Sequence, residues 1–273
     1  MPTIKTADGT EIYFKDWSSG KPVFFSHGWP LNSDMWEYQM EFLASHGLRC
    51  IAHDRRGFGR SSQPWQGNNY DTFADDIAAV MNALNLSDVT LVGFSMGGGD
   101  VARYISRHGA SRVSKAVLIG AVTPFLLKTA DNPNGADKSV FDGMRAGITA
   151  DRAEFFNGFG RVFMGADNPA LKVSEGVLRQ THNLALMASL KSTLDCVIAF
   201  SETDFRPDLK NFTMPTLIIH GDADTIVPID LTAREAHRMI PGSRLEVYEG
   251  APHGLCFTHK DRMNADLLAF ING

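Results

Sequence analysis

The chain has 273 residues, of which 44% are hydrophobic and 21% are charged, a composition typical of a globular protein with one large domain or two small ones. Its formal net charge is −5 and it has no basic stripe to hold a phosphate backbone, so the sequence predicts no nucleic-acid partner. It has no apolar run of about 18 residues and no apolar signal core at its start, so we expect a cytoplasmic protein that spans no membrane.

The first half of the chain predicts a β-hairpin followed by strands that alternate with helices. The turn-forming pair Asp8-Gly9 separates Ile4 from the strand-like run 11–17. Strand and helix patterns then take turns over residues 21–26, 36–43, 48–53, 73–84, 89–94, 95–107 and 113–119. Such alternation predicts parallel β-α-β units, and therefore the α/β class with a doubly wound, mostly parallel sheet.

The alternation stops after residue 122. Residues 123–213 contain phenylalanine-rich helical patches and no clear strand, and the alternation resumes with patterns at 216–220, 231–239, 244–248 and 263–271. We interpret residues 1–122 and 214–273 as one α/β core and residues 123–213 as a helical cap insertion. Insertions of this kind lie over the C-terminal edge of the sheet, where open α/β folds bind ligands.

The three cysteines form no recognisable disulfide or metal motif. Cys50, Cys196 and Cys256 are widely spaced and odd in number. The sequence therefore predicts reduced, mostly buried thiols rather than a disulfide framework or a zinc site.

A nucleophile motif stands between a predicted strand and a predicted helix. Residues 93–97 read Gly-Phe-Ser-Met-Gly, which is G-x-S-x-G directly after the apolar run 89–92. A sharp turn at this place strains the central residue and presents its hydroxyl at the C-terminal edge of the sheet. We therefore predict that Ser95 is a catalytic nucleophile.

A serine hydroxyl needs a base to accept its proton, and His253 is the best placed of the nine histidines. It lies in the loop Gly-Ala-Pro-His-Gly between the last predicted strand and the last helix, where proline and glycine fix the backbone. His220 ends a strand and His259 falls in the first turn of the last helix, so we interpret both as structural or surface residues.

The imidazole in turn needs a carboxylate to set its tautomer. Asp222 and Asp224 both follow the strand at 216–220, and they have the same parity along an extended backbone, so periodicity does not choose between them. Asp195 and Asp204, in the predicted insertion, are weaker candidates. With either Asp222 or Asp224, the chain order is serine, aspartate, histidine, as expected of an α/β-hydrolase.

Two backbone N–H groups are expected to form an oxyanion hole, which stabilises the charge that develops on a substrate carbonyl. One is the amide of Met96, directly after the nucleophile. The other comes from the loop after the early strand, where Trp29 is the natural donor in His-Gly-Trp-Pro.

Taken together, the motifs resemble the bacterial cofactor-free haloperoxidases, also called perhydrolases, and the related aryl esterases and γ-lactamase of the same branch. The resemblance runs from about residue 6 to residue 270 and rests on S-H-G-W-P, D-R-R-G-F-G-R-S, Y-D-T-F-A-D-D-I, G-F-S-M-G-G-G-D-V-A-R-Y, E-T-D-F-R-P-D, H-G-D-A-D-T-I-V-P and A-P-H-G. It implies the α/β-hydrolase fold, Asp224 as the acid of the triad and a homo-oligomer. It also supports Ser95, His253 and the amides of Trp29 and Met96 in the roles given above.

The resemblance also implies a function. The protein is expected to be a serine hydrolase of small carboxylic esters with aryl or short alkyl alcohols, and to form peracids when hydrogen peroxide replaces water. It implies no metal, haem or flavin, in agreement with the lack of the corresponding sequence motifs. The expected substrate pocket is apolar and is formed by Trp29, Val122, Phe125, Phe200, Ile226 and Val227.

Three alternatives stay open. The first is an oxidoreductase of the non-haem chloroperoxidase or bromoperoxidase type, and the second is a lactamase or amidase of the same branch. The third is a ligand receptor on a retained hydrolase fold, which a complete triad and oxyanion loop disfavour.

Overall fold

The computed structural model describes residues Met1–Gly273 and contains one eight-stranded sheet. The strands are β1 (Thr3–Lys5), β2 (Glu11–Trp17), β3 (Lys21–Ser26), β4 (Leu48–His53), β5 (Val89–Phe94), β6 (Val113–Ile119), β7 (Thr216–Gly221) and β8 (Arg244–Tyr248). Their spatial order is β1-β2-β4-β3-β5-β6-β7-β8, and β3 to β8 run parallel while β1 and β2 pair antiparallel. The predicted hairpin and the doubly wound, mostly parallel sheet are thus confirmed.

Eleven α-helices connect and cover the strands. They are α1 (Glu37–Ser45), α2 (Tyr70–Ala83), α3 (Met96–His108), α4 (Lys138–Ala150), α5 (Arg152–Met164), α6 (Glu175–Leu186), α7 (Leu190–Glu202), α8 (Arg206–Leu209), α9 (Ala233–Met239), α10 (Leu255–Thr258) and α11 (Lys260–Asn272). Helices α4 to α8 lie between β6 and β7 in the chain, which is where the sequence placed its insertion. The bounds of core and cap at residues 122 and 214 stay a prediction.

The sheet is buried on both faces, which explains why its central strands read as continuous apolar runs rather than alternating ones. All six residues of β5 are buried. Leu91 packs into the layer that contains α2 and α3, whereas its neighbour Val92 packs into the layer that contains α1 and α11. Because β3 to β8 run parallel, their C-terminal ends lie along one edge of the sheet, and the loops that follow them are brought together there.

Side-chain caps define several helix starts in the segment between β6 and β7. Asp151, Ser174 and Ser189 each accept a hydrogen bond from a backbone N–H in the first turn of α5, α6 and α7. Such caps satisfy amide groups that have no partner inside the helix. They hold these short helices at fixed starting points above the sheet.

No single helix is long and apolar enough to cross a membrane. Helices α6 and α7 reach the required length and apolarity only as a pair, and the chain bends by 98° between them. The three cysteines are unpaired and buried, as predicted. Burial raises the pKa of the Cys50 thiol to about 12.

Candidate active site

Ser95 lies at the sharp turn between β5 and α3. Its backbone has φ 53° and ψ −119°, a conformation that costs free energy for a residue with a side chain and that persists only where the surroundings enforce it. A Cβ on Gly93 would collide with the carbonyl oxygen of Gly97, and a Cβ on Gly97 would collide with that of Ser26. Both glycines of the motif are therefore required by close backbone packing.

The structure brings Ser95, His253 and Asp224 together. Ser95 Oγ lies 2.9 Å from His253 Nε2, and His253 Nδ1 lies 2.6 Å from Asp224 Oδ2. A carboxylate only accepts hydrogen bonds, so Nδ1 carries a hydrogen and Nε2 is free to accept the proton of the serine hydroxyl. All three residues are buried, with at most 6% of their surface exposed.

Of the four aspartates considered above, only Asp224 contacts the imidazole. Asp222 is exposed and accepts a hydrogen bond from the amide of Gly250 at 2.6 Å. Asp195 forms an ion pair with Lys191 on the same helix, and Asp204 pairs with Arg206. In the structure, Asp224 and not Asp222 turns its side chain toward the imidazole, and its role as the acid of the triad stays a prediction.

Four donors hold the Asp224 carboxylate. Oδ1 accepts from the amides of Ile226 and Val227, both at 2.9 Å, and Oδ2 faces His253 and, at 3.2 Å, His220 Nε2. Burial acts to raise the pKa of Asp224, but the attraction of His253 and the hydrogen bonds from both histidines outweigh it and hold the pKa well below its usual value. The carboxylate is therefore ionised when it faces the imidazole.

His220 is a site residue that sequence reasoning missed. Its Nε2 lies 2.8 Å from the carbonyl oxygen of Val227, which can only accept, so Nε2 carries a hydrogen, and the same nitrogen lies 3.2 Å from Asp224 Oδ2. Burial of the whole side chain fixes this orientation. The only signal in the sequence was the position of His220 near the end of β7, directly before the Gly-Asp-Ala-Asp run.

The two predicted oxyanion donors come from separate segments that meet at the nucleophile. Met96 is the first residue of α3, and Trp29 lies in the loop after β3; neither amide donates to an acceptor within the chain. A Cβ on Gly28 would come within 3.1 Å of the Ser95 Cβ, so this loop packs directly against the nucleophile. The Trp29–Pro30 peptide bond is cis.

A cavity of about 440 Å³ opens beside Ser95 and His253. Of the predicted pocket residues, Trp29, Val122, Phe200, Ile226 and Val227 line it. Further apolar side chains that the sequence did not single out complete its wall: Leu126, Val140, Phe141, Met144, Phe159 and Leu231. Asn132, Asn134, Asp230 and Glu235 add polar groups.

Phe125 was wrongly predicted as a pocket residue, since it does not line this cavity. Its ring is buried with the guanidinium of Arg206 5.3 Å from the ring centroid, and Arg206 is in turn paired with Asp204. A cation over an aromatic face stabilises this arrangement. No group of three or more His, Cys, Asp or Glu side chains is arranged to hold a metal ion.

A fully buried ion pair lies beneath the oxyanion loop. Arg55 follows β4 and pairs with Asp100 on α3, and its guanidinium also donates to the carbonyl oxygen of His27 at 2.7 Å. Ser26 Oγ donates to the same Asp100 carboxylate at 2.6 Å. The pair therefore links the loop that carries Trp29 to the helix that begins with Met96, and so fixes the two oxyanion donors relative to each other.

Arg55→Met is expected to lower the free energy of unfolding by about 3–5 kcal/mol, because it leaves the buried Asp100 carboxylate without a positive charge to pair with and with only the hydroxyl of Ser26 as donor. Urea unfolding of the variant measures this loss. The double variant Arg55→Met/Asp100→Leu removes the unpaired charge and is expected to regain part of the stability. A double variant less stable than the single one would contradict this account.

Two buried histidines beside this pair are held neutral. Burial lowers the pKa of both side chains most, and the positive charge of Arg55 lowers it further. The pKa of His27 is well below its ordinary value, and that of His53 is lowered to about 3. For His27 the hydrogen bonds agree, since Nε2 accepts from the amide of Arg55 at 2.9 Å and would lose that bond on protonation.

We expect the folded state to lose stability as the pH falls below about 6.5, the ordinary pKa of histidine. Below that value the unfolded chain binds protons at His27 and His53 that the folded chain does not bind, and for His53 this continues to about pH 3. At pH 5 the loss that His53 contributes is about 2 kcal/mol, and His27 adds to it in the same direction. Chemical unfolding of wild type and His53→Leu at pH 7 and pH 5 measures it, and equal pH dependence in both proteins would contradict the assignment.

Comparisons with known proteins identify the family of the chain. A model of the α/β-hydrolase fold family matches residues 21–260. The chain is 48% identical over 272 residues to a non-haem haloperoxidase from Rhodococcus erythropolis, and 42% identical over 274 residues to a bifunctional esterase/perhydrolase from Acinetobacter calcoaceticus, with 99% of each chain covered in both cases. The solved structure of a bromoperoxidase from Bacillus anthracis covers 100% of both chains at 46% identity with a TM-score of 0.95. The chain therefore belongs to the α/β-hydrolase family, in the branch of these haloperoxidases and perhydrolases that its sequence motifs predicted.

Proposed function

We propose that the protein is a serine esterase that cleaves small carboxylic esters through a covalent acyl-enzyme and also forms peracids from hydrogen peroxide. The observation that carries this proposal is the buried chain of contacts from Ser95 Oγ through His253 to Asp224 at the wall of an apolar cavity. A nucleophile, a base and a residue that orients the base are the three parts that acyl transfer requires.

In the first half of the reaction, His253 Nε2 takes the proton of Ser95 Oγ as the oxygen attacks the ester carbonyl carbon. The amides of Trp29 and Met96, which have no acceptor within the chain, donate to the carbonyl oxygen as it becomes negative, and each such donor is worth about 3 kcal/mol in the transition state. His253 then returns the proton to the alcohol that leaves. Asp224, ionised and held by four donors, stabilises the imidazolium that forms in between.

In the second half, water attacks the acyl-enzyme with His253 again as base, which gives a carboxylic acid and free Ser95. Hydrogen peroxide can make the same attack and gives a peracid, with no change in the oxidation state of any protein group. The peracid transfers an oxygen atom to halide in solution and leaves a carboxylate and a hypohalous acid. Haloperoxidase activity of this kind needs no redox group on the protein, which reconciles the two names carried by the relatives.

The cavity supports small to medium apolar esters as the substrate class. Its volume of about 440 Å³ lies in the lower part of the range for small-molecule sites, and aromatic and aliphatic side chains dominate the wall. Trp29 is fixed in that wall, because its indole donates to the carbonyl oxygen of Thr193 at 3.1 Å and its ring packs edge-on against Phe156, Phe159 and Phe200. A rigid aromatic wall suits aryl groups. That the protein works in the cytoplasm as a homo-oligomer is part of the same proposal and rests on the resemblance and the composition alone.

Turnover of p-nitrophenyl acetate tests the proposal. We expect many turnovers per protein molecule, full activity after exhaustive chelation of metals, and peracid when acetate and peroxide are supplied. A ligand receptor on the same fold would release at most one equivalent of p-nitrophenol. Absence of steady-state turnover in folded protein with any of a panel of aryl and short alkyl esters would contradict the proposal.

A further inference from the structure

A second, much smaller cavity lies close to the catalytic residues but apart from the main one. It has a volume of about 20 Å³ and is lined in part by Pro30 and Leu31, which follow the oxyanion donor Trp29, and by Phe163 of α5. The Phe163 ring packs edge-on against the imidazole of His253, with 5.1 Å between ring centroids. The small cavity is therefore one side chain away from the base and one residue away from an oxyanion donor.

The small cavity shares one lining residue with the main cavity and another with a groove at the protein surface. Phe159 lines both the main and the small cavity. On the other side, His182 lines both the small cavity and a surface groove of about 170 Å³ that Arg161 of α5 and Arg179 of α6 border. The small cavity thus shares Phe159 with the main cavity and His182 with the surface groove, and both rings come from the helix pair α5 and α6.

The size and chemistry of the small cavity fit a molecule such as water. A cavity measured in this way needs a volume of about 10–15 Å³ to hold one water molecule. The Nδ1 atom of His182 is buried and has no hydrogen-bond partner within the chain, so it can serve a polar molecule that passes.

Gly160 keeps this space open. It lies inside α5, where glycine is less favourable than alanine, and it lines the small cavity. A Cβ at this position would have no neighbour closer than Thr181 Oγ1 at 4.0 Å, so packing does not require a glycine here. Because glycine has no side chain, the space beside this residue stays empty and forms part of the small cavity.

We propose that this passage delivers the second nucleophile, water or hydrogen peroxide, to the acyl-enzyme while the acyl group fills the main cavity. The inference rests on the proposed function. The oxygen of the nucleophile bonds to the acyl carbon and its proton goes to His253 Nε2. The bond from the acyl carbon to Ser95 Oγ then breaks, and Ser95 takes the proton back. Rotation of Phe159 and His182 opens the two ends of the passage.

Gly160→Leu tests the passage, because Gly160 lines the small cavity and does not line the main one. Gly158→Leu is the matched control, since Gly158 lies two residues away on the same helix, is exposed and has no atom within 4 Å of an added Cβ. Stopped-flow release of p-nitrophenol separates the acylation burst from the steady rate that reports deacylation. With a bulky benzoyl ester we expect Gly160→Leu to slow the steady rate about tenfold, a change of ~1.4 kcal/mol in barrier, and to leave the burst rate unchanged. With the acetyl ester, which leaves room in the main cavity, the loss is expected to be smaller.

The same measurement with peroxide distinguishes the two nucleophiles. Equal slowing of acid and peracid formation supports a shared passage, and slowing of one alone supports the passage for that molecule. A burst followed by equal steady rates in Gly160→Leu and Gly158→Leu overturns the passage and leaves the proposed function intact, whereas wild type without burst or turnover overturns the proposed function itself. Gly160→Ala, which adds one methyl group and favours the helix, is expected to fall between wild type and Gly160→Leu. If Gly160→Leu does not fold, Gly160→Ala takes its place in the comparison with Gly158→Leu.

Discussion

Ser95→Ala is expected to abolish ester hydrolysis and peracid formation together. Both reactions pass through the same acyl-enzyme, so the loss of one hydroxyl removes both, by about 10⁵–10⁶-fold in kcat. The triad geometry gives the reason, because Ser95 Oγ is the only group within hydrogen-bond distance of His253 Nε2. Hydrolysis of p-nitrophenyl acetate and peracid formation from acetate and peroxide, on one preparation, measure the two losses.

An exposed serine gives the matched control. Ser45 ends α1 far from the site in the chain, and Ser45→Ala is expected to keep both activities. The variant at position 95 should remain folded, since alanine takes up no more space than serine at this crowded turn. Halide oxidation that survived in purified Ser95→Ala with acetate and peroxide would reveal a separate oxidative site and would refute the shared intermediate.

Asp224→Asn is expected to lower kcat about 10⁴-fold. The amide would present an N–H₂ group to His253 and favour the tautomer with its hydrogen on Nε2, which cannot accept the proton of Ser95. The amides of Ile226 and Val227 can still donate to the side-chain oxygen, so the loop keeps its shape. Steady-state rates with p-nitrophenyl acetate measure the loss, and circular dichroism checks the fold.

Asp222→Asn is the control for this prediction, since it makes the same chemical change two residues away. Asp222 is exposed and binds only the amide of Gly250, a bond that asparagine can also accept. We expect close to wild-type activity. A larger loss at position 222 than at position 224, with both proteins folded, would show that the acid of the triad had been assigned to the wrong residue.

The strands and the nucleophile turn were predictable because each is encoded by neighbouring residues. The apolar runs mark buried parallel strands, and the glycines at 93 and 97 stand where backbone atoms of other segments approach too closely for a Cβ. The choice between Asp222 and Asp224 was of another kind. It depends on the direction in which a short loop turns, so only the resemblance to a family resolved it before the structure did.

Contacts between distant segments were the part that the sequence did not reveal. The cavity wall depends on which faces the helices between β6 and β7 turn toward Ser95, and periodicity does not determine how a helix is rotated relative to a remote strand. Phe125 was misplaced for this reason, because its ring contacts Arg206, far along the chain, and does not line the cavity. The role of His220 beside Asp224 likewise depends on a turn that brings the end of β7 back onto itself.

Two hydrogen bonds attach the helices above the sheet to the catalytic loops themselves. The indole of Trp29 donates to Thr193 of α7, and the amide of Gly254, next to His253, donates to the carbonyl oxygen of Phe163 at 2.7 Å. A hinged opening of these helices would break both bonds and displace the base and an oxyanion donor at once. We therefore expect the shape of the site to be set before substrate arrives. Discrimination between mirror-image esters is then a property of the resting enzyme. Substitutions in the cavity wall should change the enantioselectivity, whereas solvent viscosity should not.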